Sequence, residues 1–200
     1  MTFVDIYQEV MGLLDATDIA STGGLDIPPA RDTVVSAINT ARRWLAENAP
    51  LGMLAGSSDF VGTISNGTSS TDRTTFVLTS DFCRLLRAKG TDWHRALSEC
   101  VDETSKEYLM QSDPTAKATA DRPVAALVCG STRNLELFPP TVGSVDYIKI
   151  PSDVNASSSN IDIPSKARNA FVYRVAALVA LAWKDASYKE YFSMSEKAIE

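Results

Sequence analysis

Few residues of this chain have side chains whose types could do chemistry: one histidine, three cysteines and carboxylate neighbours such as Asp102 and Glu103. His94 is the sole histidine, so a Ser-His-Asp triad would have to be assembled around it. It lies between Trp93 and Arg95, after a Gly90-Thr91-Asp92 turn, which suits a turn or packing residue better than a base. Cys83, His94, Cys100 and Cys129 add up to a Cys3His donor set for zinc. The short Cys-x-x-Cys type of spacing that such sites use is missing. An odd number of cysteines without close pairing argues against a disulfide framework, and cysteines in strand-like runs are commonly small buried hydrophobes. Asp102 and Glu103 stand just before a helix start, where acids are expected, so they do not single out a glycosidase pair. No Walker loop, GxGxxG or HExxH occurs. The residues thus point to no catalytic centre, no metal and no cofactor.

The elements that would have to position any site are organised around Ser165–Trp183, SKARNAFVYRVAALVALAW. From Val175 to Trp183 no side chain is polar. On a helix this run covers every face, yet it falls far short of the roughly 20 residues of a membrane span. A soluble helix apolar all round is buried on several sides. Ala176, Ala177, Ala180 and Ala182 let neighbouring backbones come close. More chain, or a second copy, has to cover it.

Phe3–Leu14 reads as an amphipathic helix, with Phe3, Ile6, Tyr7, Val10 and Leu14 at helical spacing and Thr2/Asp5 resembling a capping box. Asp15–Ile27 is a polar connector. Pro28 and Pro29 open a second helix to about Glu47, its stripe Val34, Ile38, Ala41 and Leu45. Arg42 and Arg43 sit at its end, where a solvated face is the plain reading. From Leu51 the texture turns to Gly, Ser and Thr. Phe60–Ile64 and Thr75–Leu78 look like strands of a long hairpin with Ser65–Arg73 as its exposed tip. Cys83–Lys89 continues as a strand. A short helix, Ser105 to about Gln111, follows a Thr104/Glu107 capping box. Three more strand-like runs are Val124–Cys129, Asn134–Phe138 and Val145–Ile150. Pro151–Asn160 reads as a flexible connector, and Tyr188–Ile199 as a last amphipathic helix. The tip and the connector hold too few apolar groups to order themselves, so both are expected to be mobile until partners bind.

The fold class that follows is α+β. Residues 1–50 and 161–200 form a helical domain, and residues 51–160 are a β-rich insertion with one short helix. At 200 residues, 44% hydrophobic and 22% charged, the chain is of ordinary globular composition. A net charge of −6 argues against a broad surface for gripping nucleic acid and leaves open a chain that nucleic acid merely passes. MTFVDIYQEV has neither the basic nor the apolar part of a signal peptide, so a soluble protein made in the cytoplasm is expected. The sequons at Asn66 and Asn155 are then chance.

Several stretches, in order, resemble the head-to-tail adaptor (connector) proteins of short-tailed bacteriophages, the class of the tail tubular protein A ring. They are RRWLAE (Arg42–Glu47), LTSDFCRLLRAKGTDW (Leu78–Trp93), SKEYLMQSDPTAKATADRPVAAL (Ser105–Leu127), NLELFPP (Asn134–Pro140) and IDIPSKARNAFVYRVAALVAL (Ile161–Leu181). The resemblance implies a structural virion protein: a homo-oligomeric ring, a dodecamer, docked beneath the portal protein. Such a ring continues the DNA channel and offers a platform to tail or neck proteins, at the head–tail junction of a virion made in the bacterial cytoplasm. Viral DNA would pass without sequence-specific binding, and no membrane is involved. A helix that wants neighbours fits a heterologous interface that closes, with helix-to-helix contacts near Phe171, Tyr188 or Phe192. The alternatives are a cell-wall hydrolase, for which no motif is present, and another neck or tail-completion protein.

Overall fold

The computed structural model describes residues 1–14, 28–158 and 160–200, so the connector expected at 15–27 lies outside the described residues. The chain divides into two compact units, Met1–Phe60 with Ile150–Glu200, and Val61–Lys149. Helices at both ends and a β-rich centre make the class α+β. Residues 51–60 and 150–160, placed with the β-rich part on sequence, go with the helices.

In the first unit, α1 (Phe3–Leu13) starts at the expected capping box: the Asp5 amide donates to the Thr2 hydroxyl, and the Thr2 amide donates to the Asp5 carboxylate at 2.7 Å. Its Phe3, Ile6, Tyr7 and Val10 stripe is buried. In α2 (Pro28–Asn48), Val34, Ile38, Ala41 and Leu45 are all fully buried, which is the stripe the spacing indicates. A short helix that the sequence did not announce, α3 (Leu51–Leu54), follows at once and buries Leu54.

The apolar stretch forms a 3-10 turn, Ser165–Ala167, and then α5 (Arg168–Ala182). Trp183 is the cap. The Asp185 amide reaches back to the Ala180 carbonyl and the Lys184 amide to Leu181. This is a Schellman closure, and it puts Lys184 at φ 61, where a side chain is unfavourable. α6 (Tyr188–Lys197) completes the unit. α1, α2 and α6 all pack on α5. Val175, Ala176, Ala177, Val179 and Ala180 are 0% exposed within one chain. Of the two possibilities, more chain or a second copy, the first therefore covers these positions: the alanines let three neighbours close in. At its C-terminal turn large apolar side chains stay open, with Leu181 and Trp183 exposed.

Two further readings change here. Arg42 is not a solvated helix end. It is 2% exposed, its Nη2 donates to Asp59 and its Nη1 to the Ser152 carbonyl at 2.7 Å. Arg43 does stay outside, with more than half of its side chain exposed beside Asp153. Nor is the segment after Ile150 a loose connector. Asn39 exchanges two hydrogen bonds with the Val154 backbone, and Arg31 donates to the Ala156 carbonyl. Backbone groups with no strand partner are satisfied by polar side chains of α2.

The second unit holds two sheets with one shared core. The strands are β1 (Val61–Ile64), β2 (Thr68–Ser69), β3 (Thr74–Val77), β4 (Phe82–Gly90), β5 (Val101–Asp102), β6 (Val124–Cys129), β7 (Arg133–Phe138) and β8 (Gly143–Lys149). One sheet has the order β1-β8-β4, the other β2-β3-β7-β6-β5. All pairings are antiparallel except β5 with β6. Phe76, Leu85, Trp93, Leu135, Leu137, Val145 and Tyr147 meet between the sheets. Alternation along β8 sends Val145 and Tyr147 inward and leaves Asp146 to Thr63 and Arg87 on the other face. A Cβ on Gly143 would overlap the Lys89 carbonyl, so β4 and β8 can pair there only through a glycine.

The long hairpin expected around Ser65–Arg73 is not formed. β1 pairs with β8 and β3 with β7, so residues 65–67 carry the chain from one sheet to the other. The actual hairpin is β2–β3, closed by Ser70–Arg73, where the Ser70 amide donates to the Arg73 carbonyl at 2.8 Å. The short helix α4 (Lys106–Leu109) is capped by Ser105, whose hydroxyl accepts from the Tyr108 amide. Thr104, the expected cap, is turned back onto Asp102 by two hydrogen bonds.

Candidate assembly surfaces

The residues singled out for chemistry do not converge. His94 and Asp121 pair through Nδ1 and Oδ1 at 2.5 Å, both side chains more than 70% exposed. The His94 amide donates to the Ala120 carbonyl, which makes this a turn closure in solvent. All three cysteines are free, Cys83 and Cys100 half-buried and Cys129 exposed. Burial pushes the Cys100 thiol up, away from the reactive thiolate. Among the described residues no three His, Cys, Asp or Glu side chains gather as metal ligands. Asp102 caps the turn to Thr104, whose hydroxyl and amide hold its carboxylate below the usual range. Glu103 accepts from the Cys129 amide. Each acid has a local structural partner.

A cavity of about 460 Å³ lies in the β-rich unit beside α4, lined among others by Arg73, Tyr108, Leu109, Lys117 and Phe138. Two of its polar groups are already engaged: Arg73 donates to the Glu136 carboxylate at 2.7 Å, and the Tyr108 hydroxyl donates to the same oxygen at 3.2 Å. Burial and then the Glu136 charge hold the Tyr108 phenol above its ordinary value. That phenol stays protonated at neutral pH, with its proton directed at Glu136. Tyr108 is thus no activated nucleophile.

The helical unit has a different kind of surface. Between α2 and α5 runs a groove of about 410 Å³, lined by Thr33, Ser36, Ala37 and Thr40 on one side and Leu178 and Ala182 on the other. The four α2 residues recur at i, i+3, i+4 and i+7, so they form one strip of small side chains along the helix. Leu181, one turn from Leu178, is 47% exposed beside it. The sequence does carry this signal, but as a polar strip of α2 with no sign of its apolar opposite wall.

The three residues expected near a seam are placed differently from one another. Phe171 is fully buried inside the chain, because it lies on the face of α5 that its neighbours cover. The Arg174 guanidinium lies 4.5 Å from the Phe192 ring and 4.4 Å from the Trp44 ring. Tyr188 meets the Phe192 ring edge-on. Tyr188 and Phe192 are half-buried and border the open surface, whereas Phe171 belongs to the core.

Comparison with known families adds the deciding observation. The family model described as SU10 adaptor protein matches residues 1–200, the whole chain. The chain belongs to the SU10 adaptor protein family. No curated protein matches it. The family is one of phage structural adaptors, which is not a class of enzymes, and it makes the adaptor a component of a virion that works against other phage proteins. Among the described residues no helix is long and apolar enough to cross a membrane.

Proposed function

We propose that this adaptor forms a homo-oligomeric ring, a dodecamer, that docks beneath the portal protein at the head–tail junction. The ring continues the DNA channel and offers its β-rich units to tail or neck proteins. The observation that carries the reading is the family match along the full chain. Supporting it is the open C-terminal turn of α5, where Leu181 and Trp183 are exposed, beside a groove whose α2 wall is polar, with Asp32, Thr33, Ser36 and Thr40, and whose α5 wall is Leu178 and Ala182. A knob of one copy entering the groove of the next is a heterologous contact, and repeated rotation of such a contact closes a ring. The seam on this reading runs along Leu178, Leu181 and Ala182, with Tyr188 and Phe192 beside it. The net charge of −6 leaves passing phosphates unheld, since Lys and Arg contacts are what retain DNA. The subunit is made in the cytoplasm of a bacterial host and ends in the virion.

Negative-stain imaging of adaptor mixed with portal rings tests the reading. Rings stacked on portals in the unaltered protein, and bare portals with Leu181→Asp, are the expected pair of images. Unaltered adaptor that leaves portals bare contradicts the reading, and Leu181→Asp rings as complete as the unaltered ones contradict the placement of the seam.

A further inference from the structure

The corner that ends α5 places a side chain where the backbone disfavours one. Among the described residues Lys184 is the one non-glycine residue with a positive φ, 61, in a closing turn whose usual occupant is glycine. The turn is held by backbone alone, the Lys184 amide donating to Leu181 and the Asp185 amide to Ala180. The lysine side chain adds nothing to those bonds. A residue standing in such a conformation points to a task outside the turn itself. Lys184 is exposed, and its ammonium has no ion pair or hydrogen bond among the described residues. The neighbouring Asp185 is engaged, since its carboxylate accepts from the Ser187 amide at 2.9 Å. Trp183, on the other side of Lys184, is 38% exposed. The corner therefore presents an open indole and one free cation.

The groove between α2 and α5 presents the complement. Of the residues that line it, one is charged: Asp32, at the head of the strip Thr33, Ser36, Ala37 and Thr40. Asp32 is exposed, and its carboxylate likewise has no partner among the described residues. Corner and groove lie on different sides of α5. Trp183 follows the groove residue Leu178 by five positions, about 140° around the helix. A contact that repeats around a ring needs two unlike patches of this kind on each subunit.

We propose that the Trp183–Lys184 corner of one copy seats in the α2 groove of the next, with the Lys184 ammonium against Asp32. The proposal rests on the ring reading and names the residues that fix the register of its seam. The indole supplies apolar area and an N–H donor, which suits a wall of hydroxyls facing Leu178 and Ala182. The ion pair at the rim sets orientation and excludes wrong partners more than it adds affinity.

Sedimentation of the purified subunit with portal rings tests this through charge reversal. Lys184→Glu and Asp32→Lys, each melting like the unaltered chain, should each need at least tenfold more subunit to load portals. Mixed one to one, the two variants should load like the unaltered chain, because the altered residue of each then meets the altered residue of the other. Lys184→Gly should melt higher yet load about threefold worse, and Lys106→Glu, in the β-rich unit, should load normally. Single reversals that load like the unaltered chain overturn the proposal and leave the ring reading intact. A mixture that loads no better than its components also overturns it, since the two residues then do not meet across a seam. If the unaltered subunit never joins portals, the ring reading falls and the proposal with it.

Discussion

Arg42 and Arg43 are adjacent in sequence and opposite in consequence, so replacing each by alanine is a sharp test of the helical unit. Arg42 is 2% exposed and its guanidinium ties three segments: α2, Asp59 and the Ser152 carbonyl. Its ring neighbour Phe60 lies 6.0 Å away. Hydrogen bonds to a charged group contribute about 1.5–3 kcal/mol each, and breaking a fully buried ion pair costs about 3–5 kcal/mol. A third of the Asp59 side chain reaches water, so the orphaned carboxylate rehydrates and the loss falls short of the sum. Arg42→Ala should cost about 2–4 kcal/mol, a large share of the 5–15 kcal/mol typical of a folded domain. Arg43 pairs with Asp153 across side chains more than half exposed, so Arg43→Ala should cost under about 0.5 kcal/mol. Arg42→Lys should recover little, because one ammonium cannot replace the two-sided fork. Urea denaturation followed by helical circular dichroism reads all three. Equal losses at 42 and 43 would refute the reasoning.

Val175→Asp, at a fully buried position of α5, should cost several kcal/mol and leave little soluble protein, whereas Leu178→Asp at the groove should fold and fail in ring formation; expression and sedimentation separate them. Lys184→Gly should raise stability by about 0.5–1 kcal/mol in a thermal melt, since residue 184 sits at φ 61 in a closing turn that a side chain disfavours. Asp162 accepts from the Ser57 hydroxyl at 2.8 Å, and that bond foremost, with the Ser58 amide, holds its carboxyl below the usual 3.8. A depressed pKa means stability present above the ordinary value and lost as pH falls through the folded one. Asp162→Asn should therefore cost about 1–2 kcal/mol at pH 7, and denaturation midpoints should show the gap narrowing below about pH 4.

The sequence spoke most clearly where structure is local. Thr2 and Asp5 cap α1 because a capping box needs only a four-residue window, and Val34, Ile38, Ala41 and Leu45 are buried because period alone selects a face. Val124–Cys129 forms a strand with those same bounds, set off by Gly130 on one side. What was not legible depends on distant partners. Arg42 finds Asp59 at a separation of 17 and Ser152 at 110, and no spacing rule reaches that far. β1 and β3 look like one hairpin because their strand signals flank a polar tip, yet their partners are β8 and β7, more than fifty residues on. Phe171 reads as a seam aromatic on an all-apolar helix, where composition cannot tell a neighbour in the same chain from one in another copy. The groove beside α2 was missed for a related reason: Thr33, Ser36, Ala37 and Thr40 resemble an ordinary solvated strip until Leu178 and Ala182 face them.

Sedimentation of the purified subunit with and without portal rings tests the central claim most directly. The subunit alone should sediment as a monomer at low concentration and associate as concentration rises. With portals present it should shift to a complex holding many copies per portal, reached cooperatively because each bound subunit offers its open α5 end and groove to the next. A monodisperse monomer that never joins the portal at any concentration would contradict the account.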